Sequence, residues 1–510
     1  MKCRLLLPDA TRSIALAIVT LVLVSCARSA APTPSLDPSL AGRIDLTPNT
    51  RVAKNVILFI GDGMGVSTVT AARIYDGQLK GQPGEENVLP FETFPDLALI
   101  KTYNTNQQVG DSSGTGTAME TGEKTRAGVI DVGPEADRGD CRAALGIPLA
   151  SMGELAEQNG KATGVVTTTR ITHATPATVY AHSAERDWES DRFMSAADWD
   201  AGCRDIAWQL VHFDVGDGLD VVLGGGRIEF FGAAGGGERK TPGDDLVKDW
   251  LHGGPHRVFV SSAAELAGVN PGHQVFGLFA DDHMTYMAER PADSTEPTLS
   301  RMTSAAIDLL EAKGSGYYLM VEGGRIDHGH HDNKAGYALA ETEEFARAVA
   351  VALEKVDLDD TLVLVTADHS HTMAIVGYPT RGNPILGLVT KNDRHGHPES
   401  HPALAADGKP YTTLGYVNGP GAVGGGERPV PETGLYAIQQ SLYATVSVDL
   451  DGTRSEDETH GGEDVALYAI GPWSHLVGGV LEQNAIFHVM TYAFGWTEEQ
   501  KRLQAAAHQD

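Results

Sequence analysis

The sequence predicts an α/β fold in which a central, mostly parallel β-sheet presents a functional site at the carboxyl ends of its strands. Three short apolar runs, at residues 55–61, 317–321 and 361–367, are typical of buried strands, and each leads into acidic or imidazole side chains. Ligands of open α/β sheets bind beyond the carboxyl ends of the strands, so these side chains are expected to meet there. A hydrophobic content of 41% and 59 glycines suit an enzyme of this class with many tight turns.

The first run stops at Asp62. A single aspartate after a strand is usually a helix N-cap, so Asp62 alone does not indicate a site. A second element, residues 109–118, consists mainly of small residues around Asp111 and Ser112. A helix that starts there would direct its free N–H groups at an anion, and its dipole would stabilise a serine alkoxide. Ser112 is therefore a candidate nucleophile, although the composition also fits a flexible Ser/Gly loop.

The segment 173–188 contains an imidazole, a hydroxyl and a guanidinium, in His173, Thr175 and Arg186. The planar fork of arginine matches two oxygens of a phosphate group. An isolated arginine is more commonly a surface charge, so Arg186 alone does not indicate a phosphate site. The segment indicates such a site only together with the other motifs of the chain.

The segment 322–331 is the densest set of candidate metal ligands. Asp327 and His331 are four residues apart and would share one face of a helix, while Glu322 stays at the strand tip. Carboxylate and imidazole groups together favour borderline divalent metals, with Zn²⁺ the leading candidate. Further candidates follow the third run and lie near residue 460: Asp368, His369, His371 and His460.

Together these motifs resemble the alkaline phosphatase family. The matching segments run in the family's order and span most of the chain from about residue 50 to 475: 55–65, 110–125, 167–188, 220–227, 322–331, 368–371 and 459–464. The resemblance implies a three-layer sandwich with a central, mostly parallel sheet, in a catalytic domain of residues 50–500. It also implies an inserted crown subdomain at about residues 376–456, a homodimer, and the hydrolysis of small phosphate monoesters (EC 3.1.3.1).

The same resemblance implies a role for each candidate residue. Ser112 would be the phosphorylated nucleophile, Arg186 the phosphate clamp, and His371 a support for a metal ligand. The implied metal sets are Asp327, His331 and His460 for one Zn²⁺; Asp62, Asp368 and His369 for a second Zn²⁺; and Asp62, Thr175 and Glu322 for Mg²⁺.

Four positions show how this chain relates to the branches of the family. His173 and His328 stand where some bacterial members have aspartate and lysine and animal members have histidines, which implies weaker Mg²⁺ binding and an alkaline optimum. Ser113 replaces the usual alanine, and we expect no change of role from it. The calcium site of animal members is not expected, because Ala280 replaces one of its carboxylates.

The N-terminal region predicts export. Basic residues at 2, 4 and 12 precede an apolar run at 14–24, which suits a signal peptide better than a membrane span. Residues 23–26 have the form of a lipobox, so we expect a signal peptide at 1–26, a lipid on Cys26 and a tether at 27–49. The alternative is cleavage near residues 29–31 and release as a soluble periplasmic or secreted protein. Intact-mass analysis of the exported protein distinguishes the two.

Cysteine use agrees with export, because only Cys141 and Cys203 remain outside the signal region. Both fall where animal members of the family have a disulfide, so the resemblance implies that they pair. A disulfide that closes a loop of this length would stabilise the folded protein by roughly 4 kcal/mol in the chain-entropy model.

The formal net charge of −29 argues against nucleic acid as a bound partner. Three histidines at 395, 397 and 401 could bind metal, but a solvated loop is the expected interpretation. The enzymatic rivals are a phosphodiesterase or a sulfatase on the same fold. The sulfatase motif is missing around Ser112, and diesterases usually use threonine and lack the pairing of Thr175 with Arg186. A non-catalytic metal- or phosphate-binding protein is the rival of another class.

Overall fold

The computed structural model describes residues 47–424, 426–448 and 453–497. The expected signal peptide, the lipidation site Cys26, most of the tether and residues 498–500 lie outside the described residues. Within the described part, no helix is both long and apolar enough to cross a membrane.

The described strands number sixteen. They are β1 (Asn55–Ile60), β2 (Asp96–Lys101), β3 (Ala162–Arg170), β4 (Val221–Gly225), β5 (Arg257–Val260), β6 (Gln274–Leu278), β7 (Tyr317–Glu322), β8 (Thr361–Thr366), β9 (Ser370–His371), β10 (Met373–Ile375), β11 (Leu414–Tyr416), β12 (Thr445–Val448), β13 (Arg454–Asp457), β14 (His460–Gly461), β15 (Val465–Ile470) and β16 (Gly478–Glu482).

The α-helices of the described residues fall mainly between these strands. They are α1 (Val66–Leu79), α2 (Ser112–Thr121), α3 (Cys141–Ala144), α4 (Met152–Gln158), α5 (Ala174–Ala177), α6 (Ala196–Ala201), α7 (Ile206–Val211), α8 (Leu246–His252), α9 (Ala263–Ala267), α10 (Leu299–Glu311), α11 (Arg325–His331), α12 (Ala335–Lys355) and α13 (Ala485–Ala493).

Ten of the strands form one sheet in the order β16-β2-β15-β8-β1-β7-β3-β4-β6-β5. Only β15 runs antiparallel to its neighbours, β2 and β8; the other neighbouring pairs are parallel. The predicted mostly parallel α/β fold is confirmed.

The three apolar runs of the sequence are the adjacent central strands β8, β1 and β7. Every residue in them is buried, as expected for parallel strands that are covered on both faces. In the register, Ile60 pairs with both Glu322 and Thr366, so the three strands end at the same level. The residues that follow β1 and β8 therefore meet the last residue of β7 at one edge of the sheet.

Helices cover both faces of this sheet. Phe59 of β1 contacts Phe345 of α12, with ring centroids 5.9 Å apart. Tyr318 of β7 bonds through its hydroxyl to Glu120 of α2. Phe59 pairs with Val321, and successive side chains alternate between faces, so Tyr318 points to the opposite face from Phe59. The sheet thus lies between α12 and α2, which gives three layers.

Cys141 and Cys203 form the disulfide that the resemblance implies, with Cα atoms 5.9 Å apart. The bridge belongs to a small buried cluster that includes Trp188 and Met194, separate from the main core.

The region between β10 and β14 contains two small antiparallel sheets, β10–β11 and β12–β13. Its loop histidines His395, His397 and His401 are exposed, as expected for a solvated loop.

Glu120 lies at the C-terminal end of α2, fully buried against Tyr318. Among the described residues, one oxygen of Glu120 and both carboxylate oxygens of Asp131 have no hydrogen-bond partner. Burial raises the pKa of Glu120 to about 8, and burial together with the Glu120 charge raises the pKa of Asp131 well above its ordinary value. The folded state therefore favours the protonated form of Glu120.

Glu120→Gln should remove the loss of folding stability that ionisation of Glu120 causes at alkaline pH. The raised pKa means that protonation of Glu120 stabilises the fold fully below its ordinary pKa of 4.5, and that this stabilisation is lost as the pH rises through about 8. Glutamine mimics the neutral acid, so its advantage over the wild type should grow from pH 5 to pH 9, to roughly 2–5 kcal/mol. Thermal unfolding against pH measures this.

The control is Glu123→Gln, which changes an exposed glutamate just beyond the same helix. Parallel melting curves for Glu120→Gln and the wild type across this pH range would contradict the account.

Candidate metal centre

The predicted meeting of polar groups at the strand ends is present in the structure. Asp62 and Asp368 follow β1 and β8, Glu322 ends β7, and all three carboxylates are fully buried. The backbone N–H groups of Gly63 and His369 donate to Asp368 Oδ1 at 3.0 and 2.9 Å. The backbone that follows β1 and the backbone that follows β8 thus both fix the carboxylate of Asp368.

Asp327, His331 and His460 direct three ligand atoms at one point. The two histidine Nε2 atoms are 3.2 Å apart, and Asp327 Oδ1 lies 3.3 Å from His331 Nε2 and 3.5 Å from His460 Nε2. Ligands held tetrahedrally at about 2.0–2.1 Å from a Zn²⁺ ion lie about 3.4 Å from one another. The spacing of this set fits such an ion.

The protonation of the two histidines supports this fit. His331 Nδ1 donates to the carbonyl of Glu458 at 2.6 Å, and His460 Nδ1 donates to the carbonyl of Gly110 at 2.8 Å. Each neutral ring therefore has its lone pair on Nε2. Burial opposes ionisation of His331, but Asp327 raises its pKa above the ordinary value, so a cation bound by the two Nε2 atoms and Asp327 would compete with a proton on the His331 ring.

The second set brings Ser112 to a group of buried ligands. His369 Nε2 lies 3.4 Å from Asp62 Oδ1 and 3.2 Å from Asp368 Oδ2. The Ser112 hydroxyl lies 3.2 Å from His369 Nε2 and 3.5 Å from Asp62 Oδ1. The nucleophile candidate therefore sits beside the ligand atoms of a second candidate cation.

The third set shares Asp62. Its other oxygen, Oδ2, lies 3.4 Å from Thr175 Oγ1, and the candidate ligand atoms of Asp62, His173 and Glu322 are all within 4.8 Å of one another. Thr167 and Thr169 donate to Glu322 Oε2, while Glu322 Oε1 is buried and has no hydrogen-bond partner among the described residues. An oxygen-rich site with an unpaired carboxylate oxygen suits Mg²⁺.

The carboxylates destabilise one another's charged forms. Burial and the charges of Asp368, Asp327 and Glu322 raise the pKa of Asp62 well above its ordinary value. Burial and Asp368 raise the pKa of Glu322 to about 7, and burial and Asp327 raise the pKa of Asp368 to about 6. A bound divalent cation would lower these pKa values, because it favours the ionised carboxylates.

The candidate nucleophile, Ser112, is placed by a short sequence of small residues. Asp111 caps α2 by accepting from Gly114 N at 3.1 Å, which sets Ser112 as the first helical residue. A Cβ atom on Gly114 would lie 2.8 Å from the side chain of Asn104, and one on Gly110 would lie 2.2 Å from a backbone oxygen. The Gly and Ser composition therefore reflects close packing and not a flexible loop.

Arg186 lies beside the same helix. Its NH1 group donates to Asp111 Oδ2 at 3.3 Å and its NH2 group donates to His173 Nε2 at 3.2 Å. The guanidinium is held between a carboxylate and an imidazole next to Ser112, where a phosphate clamp is expected.

His371 lies between two carboxylates. Its Nε2 contacts Asp327 Oδ1 at 2.7 Å and its Nδ1 bonds to Glu458, which also accepts from Thr372 N at 2.6 Å. His371 thus contacts a candidate ligand, Asp327, on one side and Glu458 on the other. Sequence reasoning gave no role to Glu458, and its only signal was its place two residues before His460.

A second residue that sequence reasoning missed is His283. Its ring lies 4.3 Å from His328 and 5.5 Å from His173, so three imidazoles pack beside the third ligand set. Arg170 contacts both ring nitrogens of His283. No local pattern marks His283, because its neighbours come from distant parts of the chain.

The carboxylate of Glu296 is occupied by hydrogen-bond donors of nearby residues. It accepts from Thr285 N at 2.9 Å and Thr285 Oγ1 at 2.7 Å, and Arg290 NH2 lies 3.3 Å away.

Comparisons with known proteins identify a family of similar sequences. Residues 53–496 match the family model described as alkaline phosphatase. The chain is 45% identical over 463 residues to the human tissue-nonspecific isozyme of alkaline phosphatase, covering 87% of this chain and 84% of that protein. It is 43% identical over 462 residues to the alkaline phosphatase of Gadus morhua, covering 88% and 93%.

Solved structures support the fold. The alkaline phosphatase of Thermus thermophilus superposes with a TM-score of 0.62 at 24% identity, covering 93% of this chain and all of that one. The enzyme of the Antarctic bacterium TAB5 gives a TM-score of 0.59 at 24% identity, covering 88% and 100%.

Removal of divalent cations should destabilise the protein. A ligand that binds only the folded state stabilises it by RT ln(1 + [L]/Kd), about 2.7 kcal/mol at a hundredfold excess over Kd. A chelator should therefore lower the melting temperature, and Zn²⁺ with Mg²⁺ should restore it, as followed by calorimetry.

His331→Ala should reduce the effect of the chelator, whereas His397→Ala in the exposed loop should leave it unchanged. Equal melting temperatures of the wild type with and without chelator would contradict the metal centre.

Proposed function

Because the chain belongs to the alkaline phosphatase family, whose members hydrolyse phosphate monoesters, we propose that this site does so through a phospho-Ser112 intermediate with two Zn²⁺ and one Mg²⁺ per chain. The observation that supports this most is the position of the Ser112 hydroxyl, 3.2 Å from His369 Nε2 and 3.5 Å from Asp62 Oδ1. A hydroxyl placed among ligand atoms is where a metal-activated nucleophile has to be.

Family membership implies metal ions, and the structure contains buried groups of carboxylates and imidazoles that could bind them. The proposed ligands are Asp327, His331 and His460 for one Zn²⁺; Asp62, Asp368 and His369 for the other; and Asp62, Thr175 and Glu322 for Mg²⁺. When bound, such ions neutralise charge on the entering, leaving and equatorial oxygens and lower the pKa of the serine hydroxyl.

The chain's own groups make and break the bonds in two steps. Ser112 Oγ loses its proton to solvent at alkaline pH and attacks phosphorus, the ester P–O bond breaks, and the leaving alkoxide takes a proton from water. Water then attacks the phosphorus of phospho-Ser112, which releases inorganic phosphate and restores the serine. Two inversions at phosphorus give net retention.

Arg186 and helix α2 position the phosphoryl group. The guanidinium fork can donate to two equatorial oxygens at once, and the free N–H groups at the start of α2 add further donors. Asp111 and His173 hold Arg186 beside Ser112. None of these groups would touch the alcohol part of the substrate, so we propose a range of phosphate monoesters as substrates and not one particular alcohol.

The rival hydrolases are separated by turnover of three substrates on purified protein. We expect a phosphate monoester to be hydrolysed far faster than a phosphate diester or a sulfate ester. Preference for the diester or the sulfate would overturn the proposal, and no turnover of any of them would favour a binding protein.

Ser112→Ala should lower kcat for p-nitrophenyl phosphate by at least about a thousandfold, because no covalent intermediate can form. Acid quenching with a radiolabelled substrate should trap phosphate on the wild type and not on the variant. Ser190→Ala, which removes another buried serine hydroxyl bonded to Glu229, serves as the control and should keep its activity. Turnover by Ser112→Ala near the wild-type rate would exclude the assignment.

Family membership also suggests the domain organisation and the assembly that we propose. Residues 376–456 form the crown insertion, and this surface pairs two copies of the chain. Large apolar side chains that are exposed in one copy support it, among them Tyr378 at 90% and Leu442 at 79% exposure. Exposed apolar side chains that lie together mark interaction surfaces, whereas single ones are normal.

Leu442→Asp should therefore weaken the homodimer, because it places a charge in an apolar contact. Sedimentation equilibrium should show a dimer for the wild type and a larger monomer fraction for the variant. The control Leu145→Asp changes an exposed leucine outside the insertion and should remain dimeric. A monomeric wild type would contradict the proposed assembly.

The protein acts outside the cytoplasm, where it would release phosphate from external monoesters. The basic and apolar N-terminal segment and the lipobox support a periplasmic, lipid-anchored form, with soluble release as the alternative. The disulfide between Cys141 and Cys203 is consistent with an oxidising compartment.

A further inference from the structure

Ser113 follows the nucleophile and is fully buried, with its hydroxyl directed at Asp111. Ser113 Oγ donates to Asp111 Oδ2 at 2.6 Å. The same oxygen accepts from Gly128 N at 2.9 Å and from Arg186 NH1 at 3.3 Å. Of these three donors, the guanidinium is the most distant.

The other oxygen of Asp111 is also occupied. Asp111 Oδ1 accepts from Asn104 Nδ2 at 2.7 Å and from Gly114 N at 3.1 Å. Burial opposes ionisation of Asp111, but Arg186 and the Ser113 hydroxyl hold its pKa below the ordinary value. Asp111 is therefore an anion that both Arg186 and several neutral donors stabilise.

A carboxylate oxygen has about two lone-pair positions. Ser113 and Gly128 make the two shorter bonds to Oδ2, which leaves Arg186 with a long, poorly directed contact. Without the Ser113 hydroxyl, one lone pair would be open to the guanidinium. A charge-assisted bond of ordinary length would then form and draw Arg186 toward Asp111.

We propose that Ser113 is a positioning residue that keeps Arg186 free to bind the phosphoryl group, by occupying the oxygen of Asp111 that would otherwise hold the arginine. The inference rests on the proposed function, in which Arg186 binds phosphate. From the sequence alone we expect no change of role at Ser113, where alanine is usual in the family. Its contact with Asp111 gives it a role that acts through Asp111 alone.

That dependence allows a double-mutant cycle. The dissociation constant of inorganic phosphate is measured by titration calorimetry on metal-loaded wild type, Ser113→Ala, Asp111→Ala and the double variant. Ser113→Ala should weaken phosphate binding roughly three- to tenfold, the usual effect of one hydrogen bond. In the Asp111→Ala background, the same substitution should change nothing.

Two controls separate positioning from folding. Ser113→Cys keeps the volume with a weaker donor and should give an intermediate loss of phosphate affinity. Thr163→Val removes a buried hydroxyl that donates to Glu157 at the opposite end of β3 and should leave phosphate affinity unchanged. Melting temperatures identify any variant that is simply unfolded.

Unchanged or tighter phosphate binding in Ser113→Ala would overturn the inference, as would an equal loss in both Asp111 backgrounds. The heat of phosphate binding does not depend on turnover. If the wild type fails to hydrolyse p-nitrophenyl phosphate while the cycle behaves as expected, the proposed function fails and the positioning role stands.

Discussion

Repulsion between buried negative groups at the carboxyl edge of the sheet is the constraint on which the rest of this site depends. Asp62, Asp368 and Glu322 meet there because β1, β8 and β7 are neighbours that end at one level. Burial makes their charged forms costly, and their mutual repulsion adds to that cost. A fold that places carboxylates in this way is suited to cations, and the family to which the chain belongs uses metal ions.

Hydrogen bonds with the surrounding backbone orient the side chains of the candidate ligands. His331 and His460 donate their Nδ1 protons to backbone carbonyls, which leaves the lone pairs on the Nε2 atoms that face Asp327. The carbonyl that receives the His460 proton belongs to Gly110, directly before the cap of α2. One hydrogen bond thus joins a candidate ligand to the helix that presents Ser112, so the position of the proposed nucleophile depends on the same framework as the candidate ligand set.

Much of this could be predicted from the sequence, because strand ends, helix starts and the four-residue spacing of Asp327 and His331 are local features. The sheet, the start of α2 and the convergence of the ligands agree with those predictions. Glu458, His283 and the Ser113 hydroxyl were missed, because their meaning comes from partners far away in the chain or from bond geometry. A role for the Ser113 hydroxyl, for example, can be inferred only once the structure shows that it donates to Asp111.

The central claim is that the three clusters are sites for two zinc ions and one magnesium ion. Elemental analysis of protein purified without chelator, combined with zinc-edge X-ray absorption on the same sample, tests it most directly. We predict close to two Zn and one Mg per chain, with nitrogen and oxygen neighbours at about 2.0–2.1 Å and clear imidazole scattering. Fully active protein with clearly fewer than two Zn per chain and no substituting metal would contradict it.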